Sequence, residues 1–244
     1  MKLALLIGIN YQGTNSQLNG CINDVNNIRN YLIDKRGYLE ENITILTDNT
    51  EIKPSRDNIL MAINTLIKQT KENEQETCEE IFFHYSGHGT YIRDLDHNEI
   101  DGRDECIVSC DNQIITDDTL YTQFVQCVGL IKTICIIDAC HSGTALDLPL
   151  QYNFTGHRWN LISNKPISSN VMLISGCKDN QTSADAYINQ TYQGALTNGF
   201  LYATEHCKSD NLFEFVSYIR RYLKKNKYTQ IPQLTCTKEL DKWQ

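Results

Sequence analysis

Two glycine-flanked segments carry side chains able to do nucleophilic chemistry together: Ser86-Gly87-His88-Gly89 and Asp138-Ala139-Cys140-His141-Ser142-Gly143. Each follows an apolar run, Ile81–Tyr85 and Lys132–Asp138, that reads as a buried strand. In open α/β sheets the reactive groups gather at the carboxyl ends of strands. A thiol at one strand end can be deprotonated by an imidazole at another, which makes Cys140 and His88 a candidate nucleophile and base. Glycines on both sides of His88 let backbone approach a substrate and let amides point into the site. Taken alone, either segment is as well explained by a tight turn; the two together favour catalysis. His141 is a rival base, but adjacent residues rarely aim at one another.

His84 and His88 stand four apart, a spacing that binds zinc when it lies on one helix face. Here Tyr85-Ser86-Gly87 intervenes at a strand end and no His-Glu-x-x-His is present, so zinc is disfavoured. Ten cysteines include no Cys-x-x-Cys pair, which argues against structural zinc. The apolar start Leu3–Ile9 runs into Asn10 without a small-residue cleavage site, so it reads as a strand and not a signal peptide. Most of the thiols are therefore expected to be reduced, buried and inert, in a cytoplasmic protein.

Net charge is −8, with 22 basic and 30 acidic residues, which disfavours nucleic acid as a partner. Residues 93–118 hold nine acids against Arg93 and Arg103, and so supply nearly the whole excess. The basic residues Arg220, Arg221, Lys224, Lys225 and Lys227 end a predicted helix, where cations complement the dipole. No apolar run approaches the ~18 residues of a membrane span.

The elements that must position His88 and Cys140 follow from pattern. Strands are predicted over 2–9, 43–46, 81–85, 106–108, 132–138, 171–175 and 233–236. Helices are predicted over 21–35, after Pro54-Ser55, near Thr116-Asp117-Asp118, and over 194–206 and 211–224. Residues 70–80 read as a polar connection, and 148–170, with two of the four prolines, as a long surface loop. Alternating apolar strands and helices predict one α/β domain over residues 1–244, with a mainly parallel central sheet and helices on both faces. The length can bury a sizeable core.

The chain resembles the metacaspases, the caspase-like cysteine peptidases. The resemblance spans Ala4–Tyr11, Leu18–Asp24, His84-Tyr85-Ser86-Gly87-His88-Gly89-Thr90, Asp101–Glu105, Ile115–Asp118, Asp138–Thr144 and Ser175–Asp185. The 52 positions between His88 and Cys140 agree with the roughly 50 typical of caspases. It looks most like a type I member without a prodomain ahead of the first strand. Departures are mild: Ala139, Ser109 and Val25 stand where other residues are usual.

The resemblance implies a caspase-like fold, with Cys140 as nucleophile and His88 as general base and acid. It implies an oxyanion hole from the amides of Gly89 and Cys140, and cleavage after Arg or Lys. The substrate cation would meet Asp24 and Asp138, with Cys21 and Ser86 lining the walls. It further implies calcium as an activator outside the chemistry, held by Asp104, Asp117, Asp118 and Asp147. Self-cleavage at Arg158 or Lys165 is a further implication. Expected partners are protein or peptide substrates, with no membrane and no nucleic acid, and the expected state is a monomer. The rivals are a catalytically silent caspase-like binding module and a nucleotide-binding flavodoxin-like domain. The latter lacks support, because Gly8-Ile9-Asn10-Tyr11-Gln12-Gly13 matches a phosphate loop poorly.

Overall fold

The computed structural model describes residues 1–72, 77–94, 102–140, 142–165, 168–176, 185–188 and 191–243. Parts of the predicted 70–80 connection, the rival base His141 and the block Cys177–Ala184 thus lie outside the described residues. In chain order the elements open with β1 (Lys2–Gly8), α1 (Cys21–Arg36), β2 (Ile43–Thr47), α2 (Arg56–Glu72) and β3 (Glu80–Ser86). Next come β4 (Gly89–Arg93), β5 (Arg103–Val108), β6 (Ile114–Thr116) and α3 (Asp117–Leu120), which runs on into one wide turn over Tyr121–Val125. Then follow β7 (Lys132–Asp138), β8 (Leu150–Asn153), β9 (Arg158–Leu161) and β10 (Asn170–Ser175). The chain closes with β11 (Asp185–Ile188), β12 (Thr191–Gly194), α4 (Ala195–His206), α5 (Leu212–Lys225) and β13 (Gln233–Cys236).

Eight strands form one sheet in the order β2-β1-β3-β7-β10-β13-β8-β9. The first five are parallel, and β13, β8 and β9 add antiparallel strands at one side. Side chains alternate across a strand, so the continuous apolar runs split between two cores. Leu3, Leu5, Ile7, Phe83, Tyr85, Cys135 and Ile137 meet Ile59, Ile63 and Leu66 of α2 and Phe124. Ala4, Leu6, Phe82, Ile134 and Ile136 face the other way, onto Val25, Ile28 and Leu32 of α1, Phe200 of α4 and Phe215 of α5. Burying each large aliphatic or aromatic side chain here stabilises the fold by ~1.5–3 kcal/mol. Helices on both faces fix the sheet as the platform for its carboxyl-end turns.

Helix ends follow their sequence signals. Gly37 closes α1 in the left-handed conformation at φ 70°, and Asn211 caps α5 by accepting the Glu214 N–H at 2.9 Å. Among the described residues no helix is long and apolar enough to cross a membrane.

Two expectations need correction. Residues 148–170 are not simply a loop, because β8 and β9 form a hairpin that extends the central sheet. Its anchor is Tyr152, which stacks on Phe213 at 4.0 Å between ring centroids. Short edge strands with one buried ring lack the apolar run that betrays a central strand. The acidic segment also holds more than the short strand expected at 106–108: β5 and β6 lie in it and, with β4 just ahead of it, make a separate three-stranded sheet.

Candidate active site

Strands β3 and β7 run side by side in parallel register, with Ser86 level with Asp138. The Gly87 N–H donates to the Asp138 carbonyl at 3.3 Å, carrying the pairing one residue beyond the strands. His88 lies two residues past Ser86, and Cys140 two residues past Asp138. The sheet therefore delivers both turns to the same edge. Gly89 packs directly on the backbone of Cys140: a Cβ added there would stand 1.9 Å from the Cys140 carbonyl oxygen. Only glycine permits this approach, and both residues are half-buried.

His88 is fixed from several sides. Its backbone N–H donates to the Tyr11 hydroxyl at 2.9 Å, and the Tyr85 hydroxyl lies 2.7 Å from its carbonyl. The two hydroxyls are 3.1 Å apart, and burial raises the pKa of both tyrosines, so both stay neutral. The imidazole packs at 4.5 Å from the Tyr11 ring, and its Nε2 meets the Ser16 carbonyl at 2.6 Å. A carbonyl only accepts, so Nε2 carries the proton. In the neutral ring Nδ1 is then the basic nitrogen.

The carboxylates expected to bind a cation lie beneath these turns. Asp24, in the first turn of α1, is fully buried; it accepts from the Ser86 hydroxyl at 2.6 Å and from the Gly194 N–H at 2.9 and 3.0 Å. Asp138 is also buried, and its Oδ2 accepts from the Thr197 N–H at 2.8 Å and the Thr197 hydroxyl at 3.0 Å. A Cβ on Gly194 would lie 2.3 Å from Asp138 Oδ2 and 2.6 Å from Asp24 Oδ2. The two carboxylates thus converge on one glycine. Cys21 is buried at the start of α1, and its N–H donates to Asn10 Oδ1 at 3.0 Å.

Sequence reasoning missed the support behind Asp138. The Thr197 hydroxyl gives its one proton to Asp138, so it accepts from His84 Nε2 at 3.2 Å. Burial pushes the His84 pKa down to about 3, which keeps that ring neutral. His84, weighed above as a zinc ligand, instead ends a hydrogen-bond relay to Asp138. The signal was available in part: His84 and Ser86 lie on the same strand face, but Thr197 comes from α4.

Three of the four aspartates expected to hold calcium come together. Asp104, Asp117 and Asp118 place a carboxylate oxygen each within 4.8 Å of one another. Asp117 accepts the Glu105 N–H and the Asp118 N–H, each at 2.8 Å. Burial, then the nearby Asp147 and Glu105 carboxylates, raise its pKa well above the ordinary range. Asp147 is buried in the segment after Cys140, and its Oδ1 has no hydrogen-bond partner among the described residues. Lys165 links Asp147 to Asp118. Thr144 donates to Glu105, which ties the same segment to β5. Crowded, buried, hard oxygen donors with an unmatched oxygen suit a divalent cation such as calcium.

The sequence of this chain matches known proteins. The family described as "Metacaspase, peptidase C14 domain" matches residues 2–149. Metacaspase-1 of Eremothecium gossypii is 35% identical, over 98% of this chain and 65% of its own length. Metacaspase-1 of Schizosaccharomyces pombe is 34% identical, over 98% of this chain and 68% of its own. The chain thus spans about two thirds of the length of these relatives. In fold it is similar to caspase-1 of Spodoptera frugiperda, with a TM-score of 0.64 at 10% identity, covering 96% of this chain and 85% of that one. Sequence match and fold agree: the chain belongs to the metacaspase family of cysteine peptidases, with an α/β caspase-like fold.

Proposed function

We propose that this chain is a cysteine endopeptidase that cuts proteins after Arg or Lys and is stimulated by calcium. The observation that carries the specificity is the convergence of buried Asp24, from α1, and Asp138, two residues ahead of Cys140, on Gly194. Two facing buried carboxylates are costly in isolation, and a guanidinium or ammonium group between them offsets that cost with charge-assisted hydrogen bonds.

His88 Nδ1 takes the thiol proton while the Ser16 carbonyl holds Nε2–H, so the ring keeps its orientation as it becomes cationic. The Cys140 thiolate attacks the scissile carbonyl carbon. The amides of Gly89 and Cys140 receive the developing oxyanion. The imidazolium returns its proton to the leaving amine, leaving a thioester on Cys140. Water, deprotonated by His88, then releases the acid product and restores the thiol.

Asp104, Asp117, Asp118 and Asp147 would hold calcium, which supplies positive charge to the cluster and takes no part in bond cleavage. Self-processing at Arg158 would cut within β9, which must open first, and at Lys165 would require its side chain to leave Asp118 and Asp147. None of the nine described cysteines is in a disulfide, which suits a reducing, cytoplasmic setting.

The test is turnover of fluorogenic peptides ending in Arg, Lys or Asp, with calcium or with chelator, using Cys140→Ala as control. The reading predicts calcium-stimulated release from the Arg and Lys peptides only. Cleavage after Asp alone, or activity surviving in Cys140→Ala, would overturn it.

A further inference from the structure

Lys165 occupies an unusual position. Its Nζ donates to Asp118 Oδ1 at 2.6 Å and to Asp147 Oδ2 at 2.5 Å. The side chain is 16% exposed, and the ammonium lies 5.3 Å from the Tyr121 ring centroid. Both acceptors belong to the four aspartates assigned above to calcium. Asp147 comes from the segment that follows Cys140, and Asp118 from the first turn of α3. One lysine therefore clamps the nucleophile's loop to the acidic segment. Asp147 turns into this contact from a left-handed backbone position at φ 50°.

We infer that Lys165 is a built-in cation that holds the Asp118–Asp147 half of the metal site until a divalent cation displaces it. The inference rests on the reading of the four aspartates as a calcium site. An ammonium and a divalent cation cannot share Asp147 Oδ2 and Asp118 Oδ1. Calcium binds carboxylate oxygens at about 2.3–2.6 Å, and a second cation at hydrogen-bond distance from the same oxygens repels it. Asp147 Oδ1, buried and without a hydrogen-bond partner among the described residues, is satisfied by a multivalent ion and not by the single ammonium. Displacement then has two consequences. Lys165 swings out with the segment leading from β9, and the loop after Cys140 passes from a lysine clamp to a metal clamp. Calcium affinity is tuned by how strongly the lysine competes.

The experiment measures calcium binding by titration calorimetry in the Cys140→Ala background, which prevents self-cleavage. A lysine bound nine-tenths of the time raises the apparent Kd about tenfold, so Lys165→Gln should bind calcium about tenfold more tightly. Lys165→Arg, which keeps the charge, should stay near the parent. In the parent protein, amine labelling of Lys165, read by peptide mass mapping, should rise when calcium is added. Equal or weaker affinity in Lys165→Gln, or calcium-independent labelling of Lys165, overturns the competition while leaving the metal site intact. No calcium binding in either protein overturns the calcium reading as well. If Lys165→Gln fails to fold, the labelling of the parent protein decides alone.

Discussion

The ring Nε2 of His88 meets the main-chain carbonyl of Ser16 at 2.6 Å, and this contact leaves Nδ1 as the ring nitrogen that can take a proton. Ser16 lies in the segment between β1 and α1, far in sequence from either dyad residue. The segment is held in turn by Asp48, whose carboxylate accepts the Asn10 N–H at 2.6 Å and the Gln12 N–H at 3.4 Å.

Asp48→Ala should therefore act on the base without touching it. Releasing residues 10–18 lets the imidazole turn, and misplacement on this scale costs about 10–100-fold in kcat. KM for an Arg peptide should change less than kcat, because Asp24 and Asp138 are themselves held by Ser86, Gly194 and Thr197. Steady-state kinetics check this, with circular dichroism confirming the fold; an unchanged kcat would mean that Ser16 does not orient His88.

Thr197→Val should act on the pocket instead. It removes a hydroxyl that donates to Asp138 and accepts from His84. A hydrogen bond to a charged group contributes about 1.5–3 kcal/mol, so kcat/KM for Arg peptides should fall roughly 10–100-fold, mainly through KM. Thr197→Ser should restore it. Loss of kcat alone, or no rescue by serine, would contradict a positioning role.

Asp118→Asn should abolish the calcium response while leaving the fold intact, because Asp118 is half-buried and asparagine keeps an oxygen that can accept from Lys165, which Asp147 also holds. Asp117 is the poorer target: its carboxylate satisfies two backbone N–H groups, so its loss would damage the fold as well as the metal site. Calcium-induced change in melting temperature is the readout. A full calcium shift in Asp118→Asn would remove Asp118 from the ligand set.

Glu80 at the start of β3 gives a stability prediction separate from the chemistry. It is buried, accepts from Arg36 at 2.7 and 2.8 Å and from the Tyr38 hydroxyl at 3.0 Å, and pairs with Lys132 at 3.0 Å. Burial would raise its pKa, but Arg36 and Lys132 outweigh this and hold it below the ordinary carboxylate value. A depressed folded pKa contributes stability that is present above the unfolded value near 4.5 and is lost as pH falls through the folded one. Glu80→Ala should cost about 3 kcal/mol at neutral pH by stranding its partners. It should also flatten the loss of melting temperature below that value, as thermal scans between pH 3 and 7 would show. An acid profile matching the parent would mean that other carboxylates govern it.

The legible parts of this molecule are those written in contiguous residues. His88 and Cys140 stood out because long apolar runs deliver them to polar turns, with Gly87 and Gly89 around His88 and Gly143 after Cys140, and the parallel sheet follows from those runs. The hairpin of β8 and β9 was hidden because its one buried ring, Tyr152, pairs with Phe213 from a distant helix. Ser16 and Gly194 act through backbone atoms, which no side-chain pattern announces. Thr197 and His84 meet across 113 positions of sequence. Lys165 read as an exposed basic residue in a loop, since its acidic partners lie 18 and 47 positions away.

The central claim is that one thiol of ten, Cys140, is the nucleophile of an Arg- or Lys-specific site. The most direct measurement treats the calcium-loaded protein with a thiol-reactive peptide acyloxymethyl ketone ending in Arg, then maps the adduct by mass spectrometry. A single adduct on Cys140 is expected, lost in His88→Ala and absent when the probe ends in Asp. An adduct on another cysteine, or equal labelling by the Asp probe, would contradict it.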